Sequence, residues 1–122
     1  MRRLLPLLAA ALGMAALLSG CAGTSHASST NSSAPAVVVQ VTITGHQVNP
    51  DGHTVHVPLG SSVELDIHAD ADGEIHVHSS PEQQISYHAG TTKTSLGNFM
   101  VPGQIVVESH SLNKTIVTLR VQ

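Results

Sequence analysis

Two histidines separated by one residue, His76 and His78, lie in a segment (residues 73–80) that otherwise has the pattern of a β-strand. On a strand, residues i and i+2 project from the same face and lie about 6.6–6.8 Å apart along its axis. Their imidazoles can converge on one ion, because metal–nitrogen bonds are about 2.0–2.1 Å long. Two ligands alone bind weakly, so a metal site at this pair requires a third ligand.

Histidine is abundant in this chain, with nine in all, which favours metal binding without locating the site. The alternatives are a strand whose polar face is simply solvated, and pH sensing, because histidines beside acidic residues titrate near neutrality. The remaining histidines of the domain alternate with apolar residues or lie at turns, and are expected at the surface: His46, His53, His56, His68 and His88.

The elements that carry these side chains are predicted to be short strands. From residue 37 onward apolar and polar residues alternate with a period of two, and turn signals such as Asn49-Pro50-Asp51-Gly52 separate the runs. No helical period of useful length is present. Seven or eight short strands predict an all-β fold, a Greek-key β-sandwich, with a barrel as the alternative.

The N-terminus has the layout of an export signal. Arg2 and Arg3 precede an apolar run over residues 4–18, which is shorter than the about 20 residues that a bilayer span needs. The run ends in Leu18-Ser19-Gly20-Cys21, which resembles the lipobox of bacterial lipoproteins, where cleavage before the cysteine accompanies acylation of its thiol. We therefore expect residues 1–20 to be a signal peptide and Cys21, the only cysteine, to carry the lipid, palmitate included.

The segment after the predicted cleavage site is rich in serine and threonine and has almost nothing to bury. Residues 21–35 are therefore expected to be the lipidated cysteine and a flexible tether, and residues 36–122 a single domain. Two or three acyl chains would hold the protein on a bacterial membrane, facing the periplasm or the cell exterior. Beyond residue 20, three basic residues oppose eight acidic ones, and this net charge of −5 argues against nucleic acid as a partner.

The order of segments resembles the cupredoxin-like domains of exported bacterial proteins, including small lipoproteins and the iron-uptake (EfeO-type) relatives. The resemblance covers about residues 38–122. It depends on four features in this order: Val57-Pro58-Leu59-Gly60, an acidic loop, the motif Gly-Glu-Ile-His-Val-His at 73–78, and Pro102-Gly103 before a near-terminal strand. It implies a cupredoxin-like fold for the domain.

The resemblance also implies that the loop holding His110 lies beside the strand of His76 and His78, which makes His110 the expected third ligand. Glu74 shares a face with the histidine pair and Glu108 shares one with His110, so either carboxylate is a further ligand or orients an imidazole. Imidazole and carboxylate ligands suit Cu(II) by the usual order of affinities, with Zn(II) next.

A blue-copper relative would have a cysteine at about the position of Ser109, with a methionine after it, whereas here Met100 precedes Pro102-Gly103. Without a thiolate a type 1 copper site cannot form, which excludes blue-copper electron transfer. No nucleophile elbow or phosphate-binding loop is present, so the chain is not expected to be an enzyme. Two hypotheses remain: a module that binds or handles copper or another divalent metal, and a metal-free β-sandwich that serves as an interaction or accessory domain of the envelope.

Overall fold

A computed structural model describes residues 34–122 of the chain. The predicted signal peptide, the predicted lipidation site Cys21 and nearly all of the predicted tether lie outside the described residues. No helix within residues 34–122 is long and apolar enough to cross a bilayer.

Nine strands form two sheets that pack face to face. The strands are β1 (Val37–Thr44), β2 (Gln47–Asn49), β3 (His53–Val57), β4 (Ser62–Ala69), β5 (Gly73–Val77), β6 (Gln83–Tyr87), β7 (Gly90–Asn98), β8 (Gly103–Ser109) and β9 (Lys114–Val121). One sheet has the order β2-β1-β4-β7 and the other β3-β9-β8-β5-β6. β1 pairs with β4, and β3 with β9, in parallel, whereas the other pairs are antiparallel. The predicted all-β sandwich is confirmed, and the barrel alternative is not.

The core is built from the apolar members of the alternating runs. Both sheets contribute fully buried aliphatic side chains, among them Val41, Leu65, Ile67, Ile75, Val77, Val107 and Leu119. Because successive residues of a strand point to opposite faces, the polar residues between them lie on the outer faces of the sandwich. The five-stranded sheet therefore presents the polar residues of β5 and β8 to solvent.

The segment between Pro81 and Pro102 forms β6 and β7, although apolar and polar residues alternate only weakly in its sequence. β7 lies at the edge of its sheet and pairs with β4. Its inward positions are Thr92, Thr94 and Leu96. Two of the three are half-buried threonines, which leave little apolar alternation in the sequence. Threonine suits strands because its branched side chain packs well on a pleated surface.

The two ends of the sandwich carry different connections. We call the end at which the chain enters β1 the proximal end. There the β3–β4 connection meets the β7–β8 connection, with the Gly60 amide donating to the Phe99 carbonyl at 2.8 Å. The opposite, distal end carries the β1–β2, β4–β5, β6–β7 and β8–β9 connections. The amide of Asp70 there donates to the carbonyl of Ile43 at 3.1 Å.

Candidate metal centre

The predicted site residues lie on the outer face of the five-stranded sheet, where β5 and β8 are neighbours. The register sets His76 opposite Glu108, and the amide of His78 extends the pairing by donating to the carbonyl of Val106 at 2.8 Å. Val77 and its partner Val107 point into the core. Alternation therefore projects the flanking histidines and glutamates outward, away from the core.

Glu108 lies between two histidines. Its Oε1 atom accepts hydrogen bonds from Nε2 of His78 at 2.7 Å and from Nε2 of His110 at 2.6 Å. These contacts hold the pKa of Glu108 below its ordinary value, against a smaller opposing effect of burial. One ligand atom from each of the three residues lies within 4.8 Å of the others. Ligands at about 2.0–2.2 Å from one ion lie at most about 4.4 Å apart, so small movements of these side chains would bring the trio to the size of a metal site.

His76 lies beside this trio but is held by other carboxylates. Its Nε2 atom is 2.6 Å from Oε1 of Glu74, and its Nδ1 atom is 3.4 Å from Oε1 of Glu82. Its ring stacks on that of His110, with centroids 3.9 Å apart and planes inclined by 24°. Burial acts to lower the pKa of His76, but the two glutamates outweigh it and raise that pKa above its ordinary value.

All five residues predicted from the sequence thus lie in one patch, which we call the histidine patch: Glu74, His76, His78, Glu108 and His110. The structure adds Glu82, which sequence reasoning did not select. Glu82 follows the turn at Pro81 and precedes β6, where no strand pattern indicates its direction. Only the return of the chain from β5 to β6 brings its carboxylate to His76.

The histidine patch opens to solvent. The side chains of His78 and His110 are 39% and 52% exposed, whereas that of His76 is 13% exposed. A cleft of about 500 Å³ adjoins the stacked pair and is lined by Asp72, Gly73, Glu74, His76, His110 and Ser111. An ion held by the trio would therefore be accessible to a further ligand from solvent or from a partner.

Ser109 points to the opposite side of β8. It is fully buried, and its hydroxyl lies 3.1 Å from that of Ser111. Glu108 and His110 flank it in sequence and project outward, so the position at which the resembled blue-copper proteins would carry cysteine faces away from the histidine patch. Met100 lies in the β7–β8 connection at the proximal end, outside the histidine patch, although it lines a cavity that His78 also lines.

The other histidines of the domain are exposed, as their positions in the sequence predict. His56, at the edge of the same sheet, accepts a hydrogen bond at its Nδ1 atom from the side chain of Gln122 at 3.1 Å. His68 lies on the outer face of the other sheet, with its Nδ1 atom 3.0 Å from the hydroxyl of Thr91. Neither belongs to the histidine patch, which makes His56 a useful control.

Comparison with known proteins identifies the fold. No protein-family model matches the chain, and no curated protein sequence matches it. Among solved structures, a multicopper oxidase superposes with a TM-score of 0.55 and 16% identity, over 70% of this chain and 44% of the oxidase chain. The chain therefore spans less than half the length of that oxidase. A variant of amicyanin in its reduced Cu(I) form superposes with a TM-score of 0.51 and 15% identity, over 71% of this chain and 82% of the amicyanin chain. Residues 34–122 of this chain therefore have a cupredoxin-like β-sandwich fold.

Proposed function

We propose that this protein binds copper, as Cu(II), or another divalent metal ion at the histidine patch, with His78, Glu108 and His110 as the ligands. The observation that supports this proposal most directly is the position of Glu108, whose Oε1 atom lies within 2.7 Å of one imidazole and 2.6 Å of the other. The sequence also predicts His76, with Glu74 as a further candidate, as a ligand; we leave both out of the ligand set, because their nearest atoms face each other at 2.6 Å.

The chemistry of the ligands supports Cu(II) first and Zn(II) second. Two imidazoles and a carboxylate are borderline to hard donors, and affinity for divalent first-row metals rises to copper and falls again at zinc. The three protein ligands leave a coordination position toward solvent. A site of this kind suits capture, buffering or transfer of an ion, and we propose no catalytic reaction for it.

We also propose the setting in which this site operates. Residues 1–20 are a signal peptide, and Cys21 carries the lipid that anchors the domain to a bacterial membrane. Residues 22–35 then tether the domain on the extracytoplasmic side. The motif Leu18-Ser19-Gly20-Cys21 supports the anchor. The motif Gly-Glu-Ile-His-Val-His at residues 73–78 supports a relation to the EfeO-type cupredoxin-like domains.

Titration of the purified full-length lipoprotein in detergent with Cu(II) and with Zn(II) tests the metal proposal. We expect one ion per chain for the wild type and loss of that site in the double variant His78→Ala/His110→Ala. The variant His56→Ala, which removes a histidine from the same sheet outside the patch, should bind as the wild type does.

The competing function is that of a metal-free interaction domain. Equal binding by the wild type and the double variant, or no stoichiometric binding by either, would refute the metal site and favour the interaction domain. Loss of binding in His56→Ala as well would indicate metal uptake by dispersed surface histidines instead.

A further inference from the structure

The exposed large hydrophobic residues of the described chain lie toward one end of the sandwich. In residues 34–122 they are Val38, Leu59, Met100 and Val101, with exposed fractions of 50%, 48%, 69% and 76%. Leu59 belongs to the β3–β4 connection, Met100 and Val101 belong to the β7–β8 connection, and Val38 is the second residue of β1. Each of these positions is at or next to the proximal end.

The two proximal connections form one surface. The amide of Gly60 donates to the carbonyl of Phe99 at 2.8 Å, and the side-chain amide of Asn98 donates to the carbonyl of Gly60 at 2.8 Å. The sulfur of Met100 lies 3.8 Å from the point at which Gly60 would carry a β-carbon. Leu59, Met100 and Val101 therefore form a contiguous apolar patch, which we call the proximal patch. A contiguous exposed apolar surface marks an interaction site, whereas scattered apolar residues do not.

The proximal patch is also uncharged, although the domain is acidic. Residues 34–39, 57–63 and 97–104, which lie at this end, contain no aspartate, glutamate, lysine or arginine, and the charge nearest to them in the adjoining β5–β6 connection is that of Glu82. The distal end, by contrast, carries Asp70 and Asp72 in the β4–β5 connection. An apolar surface without charge is suited to the boundary between lipid headgroups and acyl chains.

The path of the chain places this surface next to the segment that leads to the proposed lipid anchor. Val37 opens β1 opposite Val63 of β4, so the polypeptide arrives from the proposed lipid anchor at the proximal end. Residues 22–35 separate that end from Cys21. A peptide of this length spans at most about 50 Å. The anchor therefore holds the proximal patch at a high local concentration next to the bilayer.

We infer that the proximal patch rests on the surface of the membrane to which Cys21 anchors the protein, with Leu59, Met100 and Val101 inserted among the lipid headgroups. This inference rests on the acylation of Cys21 under the proposed function. It turns the distal end, which carries His110 of the histidine patch, away from the bilayer, where ions and partners have access.

Tryptophan substitution tests this orientation directly, because the chain contains no tryptophan. The acylated full-length protein is reconstituted in phosphatidylcholine vesicles as Met100→Trp and, as the matched control at the distal end, His46→Trp. We expect lipid brominated on its acyl chains to quench the fluorescence of Met100→Trp several-fold more strongly than that of His46→Trp. Equal, weak quenching of both would overturn the inference while leaving the lipid anchor intact.

A second measurement avoids adding an apolar probe to the surface. Amide hydrogen exchange of residues 98–103 should slow when the otherwise unaltered acylated protein is bound to vesicles, and this slowing should be lost in Met100→Ser/Val101→Ser. Slowing that is independent of vesicles but rises with protein concentration would assign the patch to a second copy of the chain and refute the membrane orientation. A protein that does not sediment with vesicles at all would refute the anchor as well.

Discussion

Replacement of His76 distinguishes a metal ligand from a side chain that supports one. The ring of His76 lies 3.9 Å from that of His110 and inclined to it by 24°, while both of its nitrogens face carboxylates. We predict that His76 acts by holding the His110 ring in place. The variant His76→Phe keeps an aromatic ring at this position without any nitrogen, and His76→Ala removes the ring.

The stack sets the size of the effect. An aromatic pair of this kind contributes about 0.5–1.5 kcal/mol beyond the area that it buries. If that energy holds His110 in its binding position, its loss weakens the binding of Cu(II) by about 2–12-fold. Both variants leave Glu74 and Glu82 without their histidine partner, so the difference between them isolates the ring.

Isothermal titration with Cu(II) at pH 7 measures the effect, and electron paramagnetic resonance of the bound Cu(II) reports the nitrogen ligands. We expect His76→Phe to bind close to the wild-type affinity with an unchanged spectrum, and His76→Ala to bind about 2–12-fold more weakly. If His76→Phe loses as much affinity as His76→Ala and its spectrum loses a nitrogen coupling, then His76 is a direct ligand and the reasoning from the stack is wrong.

Three further predictions concern the core and the outer faces. Asp66 is buried; burial raises its pKa, but hydrogen bonds from Gln40 and Lys93 outweigh this, and the pKa lies below its ordinary value of 3.8. Its contribution to stability is therefore present above about pH 4 and lost as the pH falls through the lowered pKa. The free energy of unfolding measured in urea should therefore change less between pH 5 and pH 2 for Asp66→Asn than for the wild type. An equal change in the two proteins would contradict this. Ser109→Cys should give no intense blue absorption with Cu(II), because residue 109 faces the core; such a band would contradict the assigned face. Gly73→Ala should lower the free energy of unfolding by about 1–3 kcal/mol, because its methyl group would collide with the side chain of the buried Tyr87. The control Gly103→Ala adds a methyl group in open space and should be as stable as the wild type. Equal stability of the two variants would refute the collision.

Much of the fold is predictable from the sequence because alternation is a local property of a strand. The period of two over Val37–Thr44 is enough to place Val39 and Val41 inward and Gln40 outward. The same period in β5 places Glu74 on the same face as His76. The chemistry of the ligands is likewise local, since it depends only on which side chains alternate with the core. The same reasoning fails for β7, whose inward threonines are indistinguishable in sequence from solvated ones.

The assembly of the histidine patch depends on contacts that are distant in sequence. His78 meets Glu108 because β5 pairs with β8 in a register that sets His76 opposite Glu108, and a shift of one residue would turn either strand's polar side chains into the core. Glu82 reaches His76 only through the return from β5 to β6. The proximal patch forms in the same way, from two connections that are joined by backbone hydrogen bonds. Strand pairing is selected by the energy of the whole packed core, which is why alternation specifies the face of each side chain, whereas the tertiary structure decides its neighbours.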